Sequence, residues 1–331
     1  MRSYESLNME SLCDRICENK KTLIVFHARP DADAIGSAFA LRELLNSMGI
    51  PAVCACADEI PERLRFLTDG VQGSVLLDDD MALDHERVIT VDSAAPEQLG
   101  TLFARLHRDI ELMIDHHEVG MPYADYYIDS GAAATGEILY RLARMLEERG
   151  RIAQIPHRAL RAIYAAISSD TGGFRYANVT PDTFRIAAEL LKAGVEGDEI
   201  ARLLYDSKSL KQVRAEGEAA RRLSVHEKGR IASVTFPYSS KYSLGLSDEH
   251  LETIIDIPRS ISGVEVAIAV KQPTQENVFR ASLRSVGGVD VSAVCAKFGG
   301  GGHKRAAGCT LKADGIDDAE KMLLQAVKEV L

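Results

Sequence analysis

The chain alternates short apolar runs with longer segments whose apolar residues return every three or four positions. The runs are "KTLIVF" (21–26), "IPAVCACAD" (50–58), "SVLLDDD" (74–80), "RVITVDSA" (87–94) and "IELMIDHH" (110–117). Their length and β-branched content predict buried strands. Between the first two, Ile35, Phe39, Leu41, Leu44, Leu45 and Met48 recur at helical spacing and Gly49 closes the segment. "TGEILYRLARMLEERG" (135–150), "HRALRAIYAAISSD" (157–170) and "TPDTFRIAAELLKAG" (180–194) predict further helices, the last with Thr180 as N-cap and Pro181 at its first position. Strands that alternate with helices imply an α/β fold with a mostly parallel sheet covered by helices on both faces.

Residues 196–228 are polar and charged, which predicts a helical connector. Beyond it the texture changes. "RIASVTF", "GVEVAIAVKQ" and "VFRASLRS" predict strands, "SDEHLETIIDIPRSI" a helix, and "DVSAVCAKFGGGGHKRAAGCTL" a helix, a glycine loop and a strand. The expected division is 1–195, a connector over 196–228, and a smaller α+β C-terminal domain over 229–331.

Composition narrows the chemistry only a little. With 331 residues, 46% apolar and 27% charged, the chain has the make-up of an ordinary globular protein long enough for two cores. No apolar stretch reaches the roughly 18–20 residues of a membrane span. The N-terminal segment lacks an apolar signal core, so a cytoplasmic location is expected. Six cysteines in a chain of this length, with Cys13 and Cys17 four apart and Cys54 and Cys56 within a strand, match no metal or disulfide pattern. A net charge of −10 argues against sequence-blind binding of long nucleic acid, which uses a basic footprint. It leaves room for a small phosphorylated ligand.

Acids and histidines gather where the apolar segments stop. "FHARPDAD" leaves the first strand with His27, Asp31 and Asp33; other strands end at Asp92 and at Asp115, His116 and His117; a helix ends at Asp170. In open parallel sheets ligands bind outside the carboxyl ends of the strands, so these groups can meet in one crevice. Any one aspartate there is ordinarily a helix cap or turn residue. Their joint occurrence is what asks for another account. Several carboxylates in a partly desolvated cleft repel one another, and Arg29 is the only base near them in sequence. One or two divalent cations remove the conflict, and a carboxylate–imidazole set suits Mn²⁺ or Mg²⁺, with less selectivity against Co²⁺ or Zn²⁺. The acids at 78–80 and His85 fit a solvated loop.

"FGGGGHKRAAG" (298–308) carries a second signal. Glycines leave backbone N–H groups open to an anion, and His303, Lys304 and Arg305 add donors beside them. Arg284 offers a bidentate fork for phosphate. The bland alternative is a glycine hinge with a solvated basic tail.

These motifs resemble those of the DHH family phosphoesterases, from about residue 20 to the end, with all four catalytic motifs present. The second half is similar to the DHH-associated C-terminal domain, whose mark is the GGGH-x-x-AAG run, here Gly300 to Gly308. At this length the chain is similar to the nanoRNase and pAp-phosphatase group. The resemblance implies His27, Asp31 and Asp92 on one metal ion, and Asp33, Asp92, His116 and Asp170 on a second, with Asp92 bridging. It implies His117 at the substrate phosphate, Asp115 orienting the histidines, and Arg284, Gly300, Gly301, Gly302 and His303 gripping a terminal phosphate or base. The cofactors so implied are two divalent ions, Mn²⁺ first and Mg²⁺ or Co²⁺ as alternatives. The expected activity is hydrolysis of oligoribonucleotides of a few residues, of pAp to AMP, or of both. Alternatives are cleavage of cyclic or linear dinucleotides and, from another class, nucleotide binding without turnover. Expected partners are a short oligonucleotide or nucleotide, no long nucleic acid, no membrane, and a second copy of the chain in a homodimer.

Overall fold

The computed structural model describes residues 4–68, 74–76, 84–118 and 120–331. It divides into two compact units, Met1–Ser207 and Lys208–Leu331. Among the described residues of the first unit, strands β1 (Thr22–Phe26), β2 (Ala52–Cys56), β3 (Ser74–Leu76), β4 (Arg87–Val91), β5 (Ile110–Asp115) and β6 (Asp125–Ile128) form one sheet in the order β3-β2-β1-β4-β5-β6. Every pairing is parallel. Strand β6, "DYYI", has no apolar run to announce it; its residues are all half-buried, as an edge position permits.

The period of two along each strand feeds two cores. Ile24, Phe26, Ile89, Val91, Leu112 and Ile114 enter the larger one. Helices α1 (Met9–Ile16), α2 (Ala32–Ser47), α4 (Thr135–Glu148), α5 (His157–Asp170) and α6 (Pro181–Lys192) contribute to that core, while α3 (Thr101–Leu106) packs with Leu23, Val25, Val88 and Met113 in the other. The helices on the larger side approach closely. A Cβ on Gly36 of α2 would lie 2.5 Å from the Ala162 carbonyl of α5, and one on Gly136 of α4 would lie 2.7 Å from Ala166 Cβ. Glycine at both positions lets the ends of three helices draw together.

The expected connector is shared out. Helix α7 (Gly197–Ala201) and the turn to Asp206 belong to the first unit. Helix α8 (Leu210–Arg221) and strand β7 (Leu223–His226) belong to the second, because Ala215 and Ala219 are fully buried among Val234, Phe236 and Ile254. Polar composition hid this: α8 buries only alanines, which a hydrophobic pattern underweights.

The second unit has a mixed sheet, ordered β11-β12-β10-β9-β8-β7, with β8 (Ile231–Phe236), β9 (Val266–Lys271), β10 (Val278–Ser285), β11 (Gly301–His303) and β12 (Ala306–Lys312). Phe279, Ala281 and Leu283 of β10 face a core shared with α9 (Val291–Ala296) and α10 (Ile316–Lys328), and Arg280, Ser282 and Arg284 alternate with them. The single helix expected over 247–261 is broken into short turns and the four-residue Asp256–Arg259, where Pro258 removes a backbone donor. The six cysteines are free thiols, five buried and Cys17 half-buried. His85 is not solvated: its side chain is 10% exposed and lies 3.6 Å from Asp109. The acids at 78–80 lie outside the described residues.

Candidate metal centre

Three strand ends and three helix ends build the centre. His27 follows β1 and donates from Nδ1 to the Ala28 carbonyl at 2.9 Å, which fixes the ring and leaves Nε2 as the inward nitrogen. Asp31 caps α2: its Oδ1 accepts the amides of Asp33 and Ala34, both at 3.0 Å. The bland reading of Asp31 as a cap is therefore correct, and the residue is also within 3.8 Å of His27 Nε2. Asp33, fully buried, accepts from Ser37 Oγ and from the amides of Thr135 and Gly136 at the start of α4. A carboxylate against a helix N-terminus is favourably placed.

Asp92 follows β4 with φ of 54°. Left-handed backbone costs a non-glycine residue roughly 1–2 kcal/mol, so the surrounding bonds must hold it. Asp92 donates its amide to Ile114 at 3.0 Å and accepts Thr135 Oγ1 at 3.0 Å. Its two oxygens diverge: Oδ2 lies 3.5 Å from His27 Nε2, and Oδ1 lies 3.7 Å from His116 Nε2. His116 Nε2 also lies 3.2 Å from Asp170 Oδ2 and 3.8 Å from Asp33 Oδ2. His116 Nδ1 donates to the Ala132 carbonyl at 3.3 Å. The Asp115 side chain is 1% exposed, and its Oδ1 accepts His117 Nδ1 at 2.7 Å and the amide of His116 at 2.8 Å. His117 Nδ1 lies 3.8 Å from Asp92 Oδ1.

The donor atoms fit divalent cations. Two ligand sets, His27–Asp31–Asp92 and Asp33–His116–Asp170, each draw their atoms within 4.8 Å of one another, as do Asp92, His116 and His117. Ligands held at about 2.0–2.2 Å from an ion stand at such separations from each other. His116 Nε2 is buried and makes no hydrogen bond, although three carboxylate oxygens surround it. An imidazole nitrogen so placed wants a cation or a proton. The electrostatics say the same. Burial opposes a charge on His27, yet Asp31 and Asp92 outweigh it and hold the imidazole up at about 11. Burial likewise opposes a charged His116, and Asp170, Asp33 and Asp92 raise it to about 10. Burial, with the charges of Asp92 and Asp170, pushes Asp33 well above the usual carboxylate range, and burial raises Asp170 to about 6. The cluster collects protons because it is short of positive charge.

All six sequence-derived ligands and the Asp115–His117 pair meet in the first unit. Arg29 does not join them: it is exposed, and its amide bonds Asp58 Oδ2. Sequence reasoning missed Thr135 and Asn178, whose side-chain amide holds the carbonyls of Ala133 and Asp170. Their signal in the sequence is slight, since "ATGE" reads as an ordinary helix start.

In the second unit, Arg284 stands opposite Ala306 in the β10–β12 register, beside the glycine run. That run is a hairpin and not an open loop: Gly301, Gly302 and His303 of β11 pair with Gly308, Ala307 and Ala306. The amides of Gly299 and Gly300 are already given to the Ala296 and Cys295 carbonyls. Gly300 and Gly302 have a packing reason to be glycine, because a Cβ would come within 2.3 Å of the Gly308 oxygen and 2.5 Å of the Ala306 oxygen respectively. The His303 side chain lies outside what is described. Among the described residues no helix is long and apolar enough to cross a membrane.

Comparison with known proteins places this geometry in a family. Residues 21–167 match the model described as "DHH family, N-terminal domain", and residues 231–329 match that of the DHHA1 domain. The chain is 30% identical over 312 residues to a Thermus thermophilus protein named bifunctional oligoribonuclease and PAP phosphatase NrnA, covering 93% of this chain and 89% of that one. It is 30% identical to the Bacillus subtilis protein of the same name, covering 90% of each. A Geobacillus thermodenitrificans protein named cyclic-di-AMP phosphodiesterase GdpP is 26% identical over 96% of this chain, which spans 49% of that relative. The fold matches the crystal structure of an exopolyphosphatase-related protein from Bacteroides fragilis with a TM-score of 0.88 at 24% identity, covering 97% of this chain and 95% of that one. Two domain matches in the expected order, with 30% identity across relatives of nearly the same length, settle that the chain belongs to the DHH family of phosphoesterases.

Proposed function

We propose that the protein hydrolyses short phosphorylated nucleotides, cutting oligoribonucleotides of a few residues to mononucleotides and pAp to AMP. One observation carries the reading: the Asp92 carboxylate offers Oδ2 to the His27 set and Oδ1 to the His116 set. A carboxylate shared in that way is what a two-ion phosphoesterase needs. The names of the relatives at 30% identity supply the substrate class. Two divalent ions, Mn²⁺ in preference to Mg²⁺ or Co²⁺, neutralise charge at phosphorus and lower the pKa of the attacking water when bound.

The side chains do the rest. His27, Asp31 and Asp92 hold one ion, and Asp33, Asp92, His116 and Asp170 the other. Burial works against a charged His117, but Asp115 and Asp92 hold its pKa above the ordinary value. A protonated His117 donates to the scissile phosphate or to the leaving oxygen. Asp115 anchors that ring through Nδ1. Arg284 and the Gly301–Gly302 hairpin bind the terminal phosphate; Gly300 drops out as a donor because its amide is taken. A cytoplasmic setting and a homodimeric assembly belong to the same reading.

The relative named cyclic-di-AMP phosphodiesterase favours cyclic dinucleotides as a second reading. Parallel digestion of pAp, pApA, cyclic di-AMP and pyrophosphate with Mn²⁺, followed by chromatography of the products, separates the two. Faster turnover of cyclic di-AMP than of pAp and pApA would replace the first reading by the second.

A further inference from the structure

We propose that Thr135 is a positioning residue that makes the two ion positions unequal by fixing two of the three carboxylates on the His116 side, Asp33 and Asp92. The inference rests on the two-ion reading. Thr135 opens α4 and is fully buried. Its amide donates to Asp33 Oδ2 at 2.8 Å, and its hydroxyl donates to Asp92 Oδ1 at 3.0 Å. Those two oxygens are the ones that face His116 Nε2, at 3.8 Å and 3.7 Å. Asp92 Oδ2, the oxygen on the His27 side, receives no bond from Thr135. One residue thus holds two ligands of one ion and touches only one oxygen of the bridge.

The terminal torsion of a carboxylate is soft. Asp92 must nevertheless keep its plane such that each oxygen serves a different set. The Thr135 hydroxyl supplies the missing restraint, and it does so from a helix start packed within contact of α5, whose last residue is Asp170. Removing the hydroxyl frees the rigid carboxylate to shift by coupled χ1 and χ2 changes, and Oδ1 moves most because Oδ2 stays anchored to the ion that His27 and Asp31 also hold. The ion on the His116 side then loses a correctly aimed ligand, whereas the other keeps His27, Asp31 and Oδ2. Loss of such an outer partner weakens metal binding by about 10–100-fold.

The test compares wild type with Thr135→Val, Thr135→Ala and Thr135→Ser, by Mn²⁺ calorimetry and by metal analysis after gel filtration. We expect two ions in wild type. Thr135→Val should retain one tight ion and bind the second about 10–100-fold more weakly, with kcat falling more than KM at limiting Mn²⁺ and recovering at high Mn²⁺. Thr135→Ser keeps the hydroxyl and should behave as wild type. Thr135→Ala reads the same loss if valine unfolds the protein. Wild-type affinities for both ions in the hydroxyl-free variants would overturn the inference alone. So would serine failing as valine does, with both ions weakened equally, since that marks a packing role. Fewer than two ions in wild type would overturn the two-ion reading and this inference with it.

Discussion

Where strand and helix ends of the first unit meet, eight acids and histidines converge although packing gives them no reason to. In the hairpin of the second unit, glycines line up for a reason that is largely packing. Asp33 is fully buried and crowded by Asp92 and Asp170, an arrangement that costs stability until something cationic relieves it. Gly300, by contrast, lies where any Cβ would strike Gly308 and Cys309. Ionisable groups driven together against their own electrostatics point to a ligand. A side chain that is absent points equally to a ligand or to a neighbouring strand, and only the structure separates the two.

The comparison breaks most visibly at Asp92. Replacing it by alanine removes the carboxylate that both proposed sets share and leaves the left-handed backbone strained, because alanine keeps the Cβ. Turnover should fall by more than about 10³-fold, because losing a single transition-state donor already costs about 10²–10³. A Mn²⁺-dependent rate assay checks it; retention of a tenth of the activity would undo the shared-carboxylate assignment.

What was legible follows the same division. The strands from "KTLIVF" to "IELMIDHH" show because a parallel sheet buries both faces, which leaves continuous apolar runs. The candidate ligands show because they gather where apolar segments stop. Strand β6 is hidden as a half-buried edge, and α8, expected within a helical connector, hides only its place in the second unit's core because its buried face is alanine. Thr135 is hidden for a subtler reason: it acts through a hydroxyl and an amide, which any helix start possesses.

Neighbouring histidines sharpen the contrast next. His116→Ala should deplete metal, since Nε2 faces three carboxylates. His117→Ala should keep the metal and lose about 10²–10⁴ in turnover, the range for a general acid. Metal content of the two purified variants decides, and equal depletion would cancel the division of labour.

Proton linkage gives a smaller effect. His27 at about 11 and His116 at about 10 are charged at neutral pH in the metal-free protein. Each must lose its proton to bind an ion. Apparent affinity at each position therefore rises with pH, about tenfold per unit for one released proton, until the imidazole pKa is passed. Calorimetry in buffers of different ionisation enthalpy counts the protons; pH-independent affinity between pH 6 and 8 would contradict the assignment.

Arg284→Ala tests the second unit as a binding element. A charge-assisted bidentate contact contributes about 1.5–3 kcal/mol, or roughly one to two decades in specificity constant. Activity on pAp and pApA should drop by that factor, with metal content and slow hydrolysis of bis-p-nitrophenyl phosphate unchanged. An equal loss on the generic ester would show that Arg284 serves the fold.

The finest distinction lies within the hairpin, between neighbouring glycines. A Cβ on Gly300 would sit 2.3 Å from the Gly308 oxygen and 2.5 Å from Cys309 Cβ, so β12 must give way to admit it. Gly302 adds a φ of 141° to an approach of 2.5 Å to the Ala306 oxygen. Gly301, between them, has no positive φ, and a methyl added there would meet nothing within 4 Å. Overpacking of this kind costs about 1–3 kcal/mol, so Gly300→Ala and Gly302→Ala should unfold earlier in urea. Gly301→Ala should stay within about 0.5 kcal/mol of wild type, as an unobstructed surface change does. Close approach of a phosphate needs the opposite ranking. If the hairpin also receives the terminal phosphate, Gly301→Ala raises KM for pAp while leaving stability and the generic ester alone. Wild-type stability in Gly300→Ala would overturn the packing account, and an unchanged KM in Gly301→Ala would confine the phosphate to Arg284.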